Sequence, residues 1–208
     1  YPEVITEELI EAFRSEPKLL KYMDIPIQHC NDEVLKRMGR HSGKQQLYSL
    51  LNGLKEQIPG LVLRTSLIAG FPGETEEQFE ELLQFVRDME FDRLGAFAYS
   101  QEEGTPAAKL PDQLDEAVKA ERAEKILAVQ RGISEKKQRE KLGKTYEVLV
   151  EGYDPDNLMY YGRTYGDSID IDTTTYFAAQ EEVPEGSFVL VKILDADEYD
   201  LTGEMVQS

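Results

Sequence analysis

Apolar and polar residues change rhythm sharply between Leu61 and Met89. Leu61–Ala69 is apolar except at Arg64 and Ser66, which predicts a strand. Gly70-Phe71-Pro72-Gly73 marks a turn. Thr75 and Gln78 have the spacing of a capping box, and Phe79, Leu82, Leu83, Val86 and Met89 follow at helical spacing. The unit reads as strand, turn and helix.

Similar signals flank it. Ile5–Ser15 reads as a short helix that Thr6 caps, with Leu9, Ile10 and Phe13 on one face. Tyr22–Gln28 reads as a strand, with Met23, Ile25 and Ile27 on one side and Pro26 marking an edge or a strand end. Asn31 caps a brief helix carrying Val34, Leu35 and Met38. Ser42 with Gln45 reads as a further capping box. It opens a helix that buries Leu47, Leu50, Leu51, Leu54 and Ile58 and ends at Pro59-Gly60. Arg93–Ser100 is a third strand. After the loop Gln101–Pro111, Asp112 caps a long helix with Leu114, Val118, Ile126, Val129 and Ile133 on its apolar side, which Gly143 stops.

From Lys144 the helical period gives way to short alternating runs. Tyr146–Val150, Tyr160–Arg163, Ser168–Ile171, Ser187–Ile193 and Glu204–Val206 read as strands between turns at Asp154–Asn157 and Pro184–Gly186. The fold class is therefore α/β for residues 1–142 and a small all-β antiparallel barrel for residues 143–208. Three strands, each followed by a helix, indicate a parallel sheet but are too few to close a barrel. With a start at Tyr1-Pro2 rather than Met, this points to a chain that begins partway through one.

Composition narrows the classes. The 208 residues are 40% hydrophobic and 31% charged, enough for a core and for solubility. No apolar run approaches the roughly 18 residues of a membrane span, so no membrane partner is expected. Cys30 is the single cysteine, which excludes an internal disulfide and fits a reducing compartment, the cytoplasm. The net charge of −18 is uneven. Residues 1–141 carry 20 Lys and Arg against 26 Asp and Glu, a net of −6; residues 142–208 carry 3 against 15, a net of −12. Such a segment repels nucleic-acid phosphates and attracts a basic partner, or serves solubility alone.

Candidate chemistry gathers where the strands end. By strand parity, Arg64 and Ser66 point inward if the neighbouring leucines pack on helices. An inward Arg needs a partner, which Asp24, Glu74 or a ligand carboxylate can supply. Gly70–Glu74 offers backbone N–H groups and close approach, or is a simple tight turn. It lacks the lysine of a phosphate loop and the GxGxxG spacing. Gln28 and His29 end the first strand at the same rim, with His29 a base, a donor or a structural residue. Cys30 lacks neighbours at ligand spacing, and no metal site is expected in this chain.

Together these residues resemble a family. Asp24-Ile25-Pro26-Ile27-Gln28-His29, Val34–Met38 with Arg40, Leu63–Glu76, and Phe97–Ser100 with Glu103-Gly104-Thr105 resemble the later part of radical S-adenosylmethionine methylthiotransferases. The last segment is similar to their OB-like TRAM domain. The implied fold is the carboxyl-terminal half of a partial (βα) barrel followed by a TRAM barrel. Gln28-His29 and Asp195–Gly203 resemble the RimO-type branch, which methylthiolates an aspartate β-carbon of a small-subunit ribosomal protein. The tRNA-adenosine branch usually shows Gln-Ser-Gly at the first of these places.

The resemblance implies S-adenosylmethionine and two 4Fe-4S clusters as cofactors, yet the CxxxCxxC motif of the family is absent and Cys30 matches none of its cysteines. The chain is thus expected to be inactive alone. It implies cofactor contacts from Arg64, Ser66, Gly70, Phe71, Pro72, Gly73 and Glu74, with Gln28, His29 and Tyr99 facing the reacting centre. The acidic TRAM domain is expected to dock a basic ribosomal protein rather than RNA. Two rival readings stand beside this one: a tRNA adenosine methylthiotransferase, and a non-enzymatic module that docks a basic ribosomal protein.

Overall fold

A computed structural model describes residues 1–206, which divide into two compact units, one over 1–130 and one from Arg131 onward. In the first unit, α1 (Glu7–Ser15) precedes β1 (Tyr22–Asp24). Then come α2 (Asp32–Arg37), α3 (Lys44–Gln57), β2 (Val62–Ala69), α4 (Glu76–Met89) and β3 (Arg93–Ala98). The strands form a parallel sheet in the order β1-β2-β3. Leu63, Thr65, Leu67 and Ala69 of β2 are buried, while Val62, Arg64, Ser66 and Ile68 on the other face are only half-buried. The helices bury Leu47, Leu51 and Leu54 of α3 and Phe79, Leu82, Phe85 and Val86 of α4. No helix of the described residues is long and apolar enough to cross a membrane.

Several expected boundaries move. The first strand stops at Asp24 instead of Gln28, because the buried Thr65 hydroxyl donates to the Ile25 carbonyl (2.8 Å) and takes a place in the ladder. Pairing resumes at Gln28 as an isolated bridge to Leu67. The third helix starts one residue later than the Ser42–Gln45 box implies. Gly43 is its N-cap, and Gln46 Oε1 accepts from the Gly43 N–H (2.9 Å). Asp32 reaches in to accept from the Lys44 N–H (2.6 Å), while Ser42 donates to Glu3. Asp112 caps nothing: its backbone is left-handed (φ 58°), and α5 runs from Glu116 to Arg139. The buried stripe of α5 includes Ile126 and Ile133 of the apolar side expected, but Lys119, Arg122, Ala123, Gln130 and Gln138 are buried with them, while Leu114, Val118 and Val129 are only half-buried.

The second unit holds β4 (Thr145–Asp154), β5 (Met159–Arg163), β6 (Thr175–Ala178), β7 (Phe188–Ala196) and β8 (Leu201–Met205). They close into a barrel in the order β4-β5-β6-β8-β7. Val148, Val150, Phe177, Val191, Ile193 and Leu201 fill it. Gly162 is required where β5 meets β4, since a Cβ there would lie 2.1 Å from the Leu149 carbonyl oxygen. Ser168–Ile171, expected as a strand, is turn. Asp167 accepts from the Thr164 and Thr173 hydroxyls (2.6 and 2.7 Å) and Asp172 from the Ser168 N–H (2.8 Å), so side chains take the bonds a ladder would have made. The third strand of the barrel is Thr175–Ala178 instead.

Candidate functional site

The carboxyl ends of β2 and β3, with the segment that follows β1, lie at the turn after β2, where open α/β sheets tend to take ligands. Gly70 and Gly73 both have φ near +74°, a conformation that costs glycine little. Gly70 is further constrained: a Cβ there would sit 2.6 Å from Lys119 Cγ and 3.1 Å from Lys119 Cα, so the turn lies directly against α5.

The turn is held from three sides. Glu74 folds back so that both carboxylate oxygens accept from the Gly70 N–H at 3.1 Å. Arg122 of α5 donates to Glu74 Oε1 at 2.7 Å and to the Glu74 carbonyl at 3.0 Å, and its second nitrogen reaches Glu76 at 2.8 Å. From α2, Arg37 donates to the Gly73 carbonyl (3.1 Å) and to Gln78 Oε1 (3.3 Å). The Gly73 N–H donates to the Asp112 carbonyl (2.8 Å). Thr75 and Gln78 form the expected capping box, so α4 starts directly at this turn.

His29 joins the cluster from the segment that follows β1. The Asn31 N–H donates to its Nδ1 (3.0 Å), and its Nε2 lies 3.2 Å from Glu74 Oε2. His29 and Glu74 are both fully buried at the side chain. The two therefore face each other. Tyr99 is buried as well. Its N–H pairs with the Ala69 carbonyl (2.9 Å), and its ring meets Phe71 edge to face at 5.2 Å within a cluster that includes Val34. Lys119 Nζ lies 5.3 Å from the centre of the Tyr99 ring. The Tyr99 hydroxyl is buried with no hydrogen-bond partner among the described residues.

The expected site residues thus separate into two sets. Gln28, Arg64 and Ser66 are half-buried around the open sheet face. Gln28 sits at the rim with φ 73°; its N–H donates to the Ser66 carbonyl (2.9 Å) and its carbonyl accepts from the Ile68 N–H (2.8 Å). Arg64 is paired with Asp24 at 2.5 Å, one of the partners open to it. His29, Gly70, Phe71, Pro72, Glu74 and Tyr99 are buried, and Gly73 is half-buried at the turn. Burial pushes the Cys30 thiol up to about 12, so it remains protonated. Sequence reasoning missed Lys119 and Arg122. The available signal was the 3–4 spacing of Lys119, Arg122, Ala123, Ile126 and Gln130, a helical stripe with polar ends.

The sequence matches two known patterns: the Radical SAM superfamily over residues 2–86 and the TRAM domain over residues 142–206. It is 49% identical over 206 residues to the ribosomal protein uS12 methylthiotransferase RimO of Acetivibrio thermocellus, covering 99% of this chain and 46% of that protein. It is 50% identical over 203 residues to the same-named protein of Clostridium botulinum (98% and 45%), and 49% identical over 209 residues to that of Trichlorobacter lovleyi (100% and 46%). The chain spans about half the length of these curated relatives. Among solved structures, coproporphyrinogen III oxidase (HemN) from Escherichia coli, a radical SAM enzyme, superposes with a TM-score of 0.54 at 25% identity. That match covers 64% of this chain and 31% of that one.

Proposed function

Since this chain belongs to the radical S-adenosylmethionine methylthiotransferase family, RimO type, we propose that it forms part of an enzyme acting on a small-subunit ribosomal protein. The reaction adds a methylthio group to the β-carbon of an aspartate. The observation that carries this reading is identity of 49–50%, sustained over 98–100% of the chain, to relatives named for that activity.

The sheet face fits S-adenosylmethionine. Arg64 and Ser66 lie half-buried beside Gln28, and the orphaned Tyr99 hydroxyl and the glycine turn stand at the strand ends. In this reading Arg64 and Ser66 meet the cofactor's polar groups, and the Gly70–Gly73 backbone lines its adenine side. Gln28 faces the reacting centre, while His29 and Tyr99 fix the rim from beneath. When bound, S-adenosylmethionine supplies hydrogen-abstracting and methyl-donating chemistry.

The residues of this chain do not fit an iron–sulfur cluster. Cys30 is its lone cysteine, buried and protonated, and among the described residues no three His, Cys, Asp or Glu side chains are grouped to hold a metal ion. The two 4Fe-4S clusters of the proposed enzyme would take no ligand from this chain. Residues 1–142 serve as one wall of the barrel, and residues 143–208 form the TRAM domain that docks the basic ribosomal protein, in the cytoplasm. Their net charge of −12 over 142–208 supports a basic protein over tRNA.

The test uses the longer protein that contains this chain, reconstituted with iron and sulfide and supplied with S-adenosylmethionine and a reductant. Mass spectrometry should find one methylthio group on an aspartate of the ribosomal protein, and Arg64→Ala should weaken S-adenosylmethionine binding about tenfold or more. A methylthiolated tRNA adenosine with unmodified ribosomal protein would transfer the assignment to the tRNA branch. Binding without modification of either would leave a docking module.

A further inference from the structure

The barrel carries an apolar patch on its outer surface. Along β7, Val191 and Ile193 fill the core, so the intervening positions turn outward. Two of them are Phe188, 64% exposed, and Leu190, 48% exposed. The ladder supplies their neighbours. Phe188 stands opposite Leu149 of β4, and the Val206 N–H donates to the Leu190 carbonyl (2.8 Å). Val206 is 39% exposed and Leu149 half-buried. Four apolar side chains on three neighbouring segments thus make one surface where a barrel exterior ordinarily alternates to polar residues.

The border of the patch is charged. Glu147 lies directly opposite Leu190. One step along β7, Lys192 lies opposite Glu204. Glu151, two positions past Leu149, is paired with Arg163 at 2.6 Å. All of this stands within the segment of net charge −12.

We propose that this outer face, centred on Phe188 and Leu190, docks a basic protein segment through an apolar anchor side chain. The inference rests on the reading that the acidic barrel engages a basic protein, and adds where and by what contact. Charge alone gives a salt-sensitive attraction without register; a buried apolar anchor supplies the fixed point, and the acidic surroundings select cationic flanks. A second copy of this chain would bring two segments of net charge −12 together, which argues against self-association through this face. The face also differs from the surface on which OB-like barrels take oligonucleotides, their second and third strands. Those correspond here to β5 and β6, where Tyr161 and Tyr176 lie 6.4 Å apart.

The test is calorimetry at physiological salt on the full chain with two synthetic peptides of equal length and equal Lys and Arg content. One carries a central Leu-Phe pair and the other Ser-Ser. The anchored peptide should bind about tenfold more tightly than its twin. That advantage should vanish in Phe188→Ser/Leu190→Ser and in the milder Leu190→Lys, and persist in Tyr176→Ala on the β5–β6 face. Thermal melts check that each variant is folded. If both peptides bind the unmodified chain equally, the anchor is overturned while acidic docking stands. If neither binds, the docking reading falls and takes the anchor with it. A concentration-dependent dimer in sedimentation that Leu190→Lys abolishes would give the face to a second copy and overturn the proposal.

Discussion

Arg122 is the residue on which the rim turns. Its guanidinium and the Glu74 carboxylate are buried together, and Glu74 in turn holds the Gly70 N–H and lies against His29. A buried ion pair adds little net stability over an apolar pair, but removing one partner strands the other charge. Arg122→Met should therefore lower unfolding free energy by about 3–5 kcal/mol in urea titrations. Arg122→Met/Glu74→Gln should cost clearly less than the two single changes summed, the mark of coupled sites in a double-mutant cycle. Additive losses would mean that Arg122 acts through packing, for example over the Phe79 ring at 5.1 Å, rather than through Glu74.

At the scale of elements, α4 offers the sharpest test, because its start coincides with the end of the glycine turn. Thr75 Oγ1 accepts from the Gln78 N–H at 3.3 Å while Gln78 Oε1 accepts from the Thr75 N–H at 3.1 Å. Thr75→Ala should cost about 1 kcal/mol of stability by chemical denaturation. Caps of this type were legible in the sequence because donor and acceptor lie three residues apart, as they also do at Thr6. At Gly43 the partner three residues on, Gln46, is local too, but the carboxylate that accepts from the Lys44 N–H comes from Asp32 in a different helix and was not legible. The same distinction governs the site. Strand parity placed Arg64 and Ser66 on the open face, but nothing local ties Arg122 to Glu74, 48 positions away, or marks Lys119 as the floor beneath Gly70. Periodicity located α5 and two of its buried residues, Ile126 and Ile133, but not the cations and amides buried beside them, which have partners. Gln130, for one, donates to the Phe91 carbonyl at 2.9 Å.

For the whole molecule the governing quantity is a net charge of −18. Like charges crowded onto a folded chain repel, and salt screens that repulsion over a Debye length that falls to roughly 3 Å near 1 M. The melting temperature should accordingly rise, not fall, as sodium chloride is raised from low concentration to about 0.5 M. A fall would mean that the ion pairs, Arg64–Asp24 and Arg163–Glu151 among them, outweigh the general repulsion.

The same charge bears on a feature of the first sheet. The barrel strands close on themselves, whereas β1 and β3 each have one neighbour, β2, among the described residues. Where such an edge is left unpaired, its backbone groups accept any strand that arrives, the usual route to edge-to-edge aggregation. Mutual repulsion between copies opposes that encounter, and salt weakens the repulsion. In storage, then, the buffer that raises the melting point most should also shorten shelf life at high protein concentration. Formulating this chain means choosing between thermal and colloidal stability.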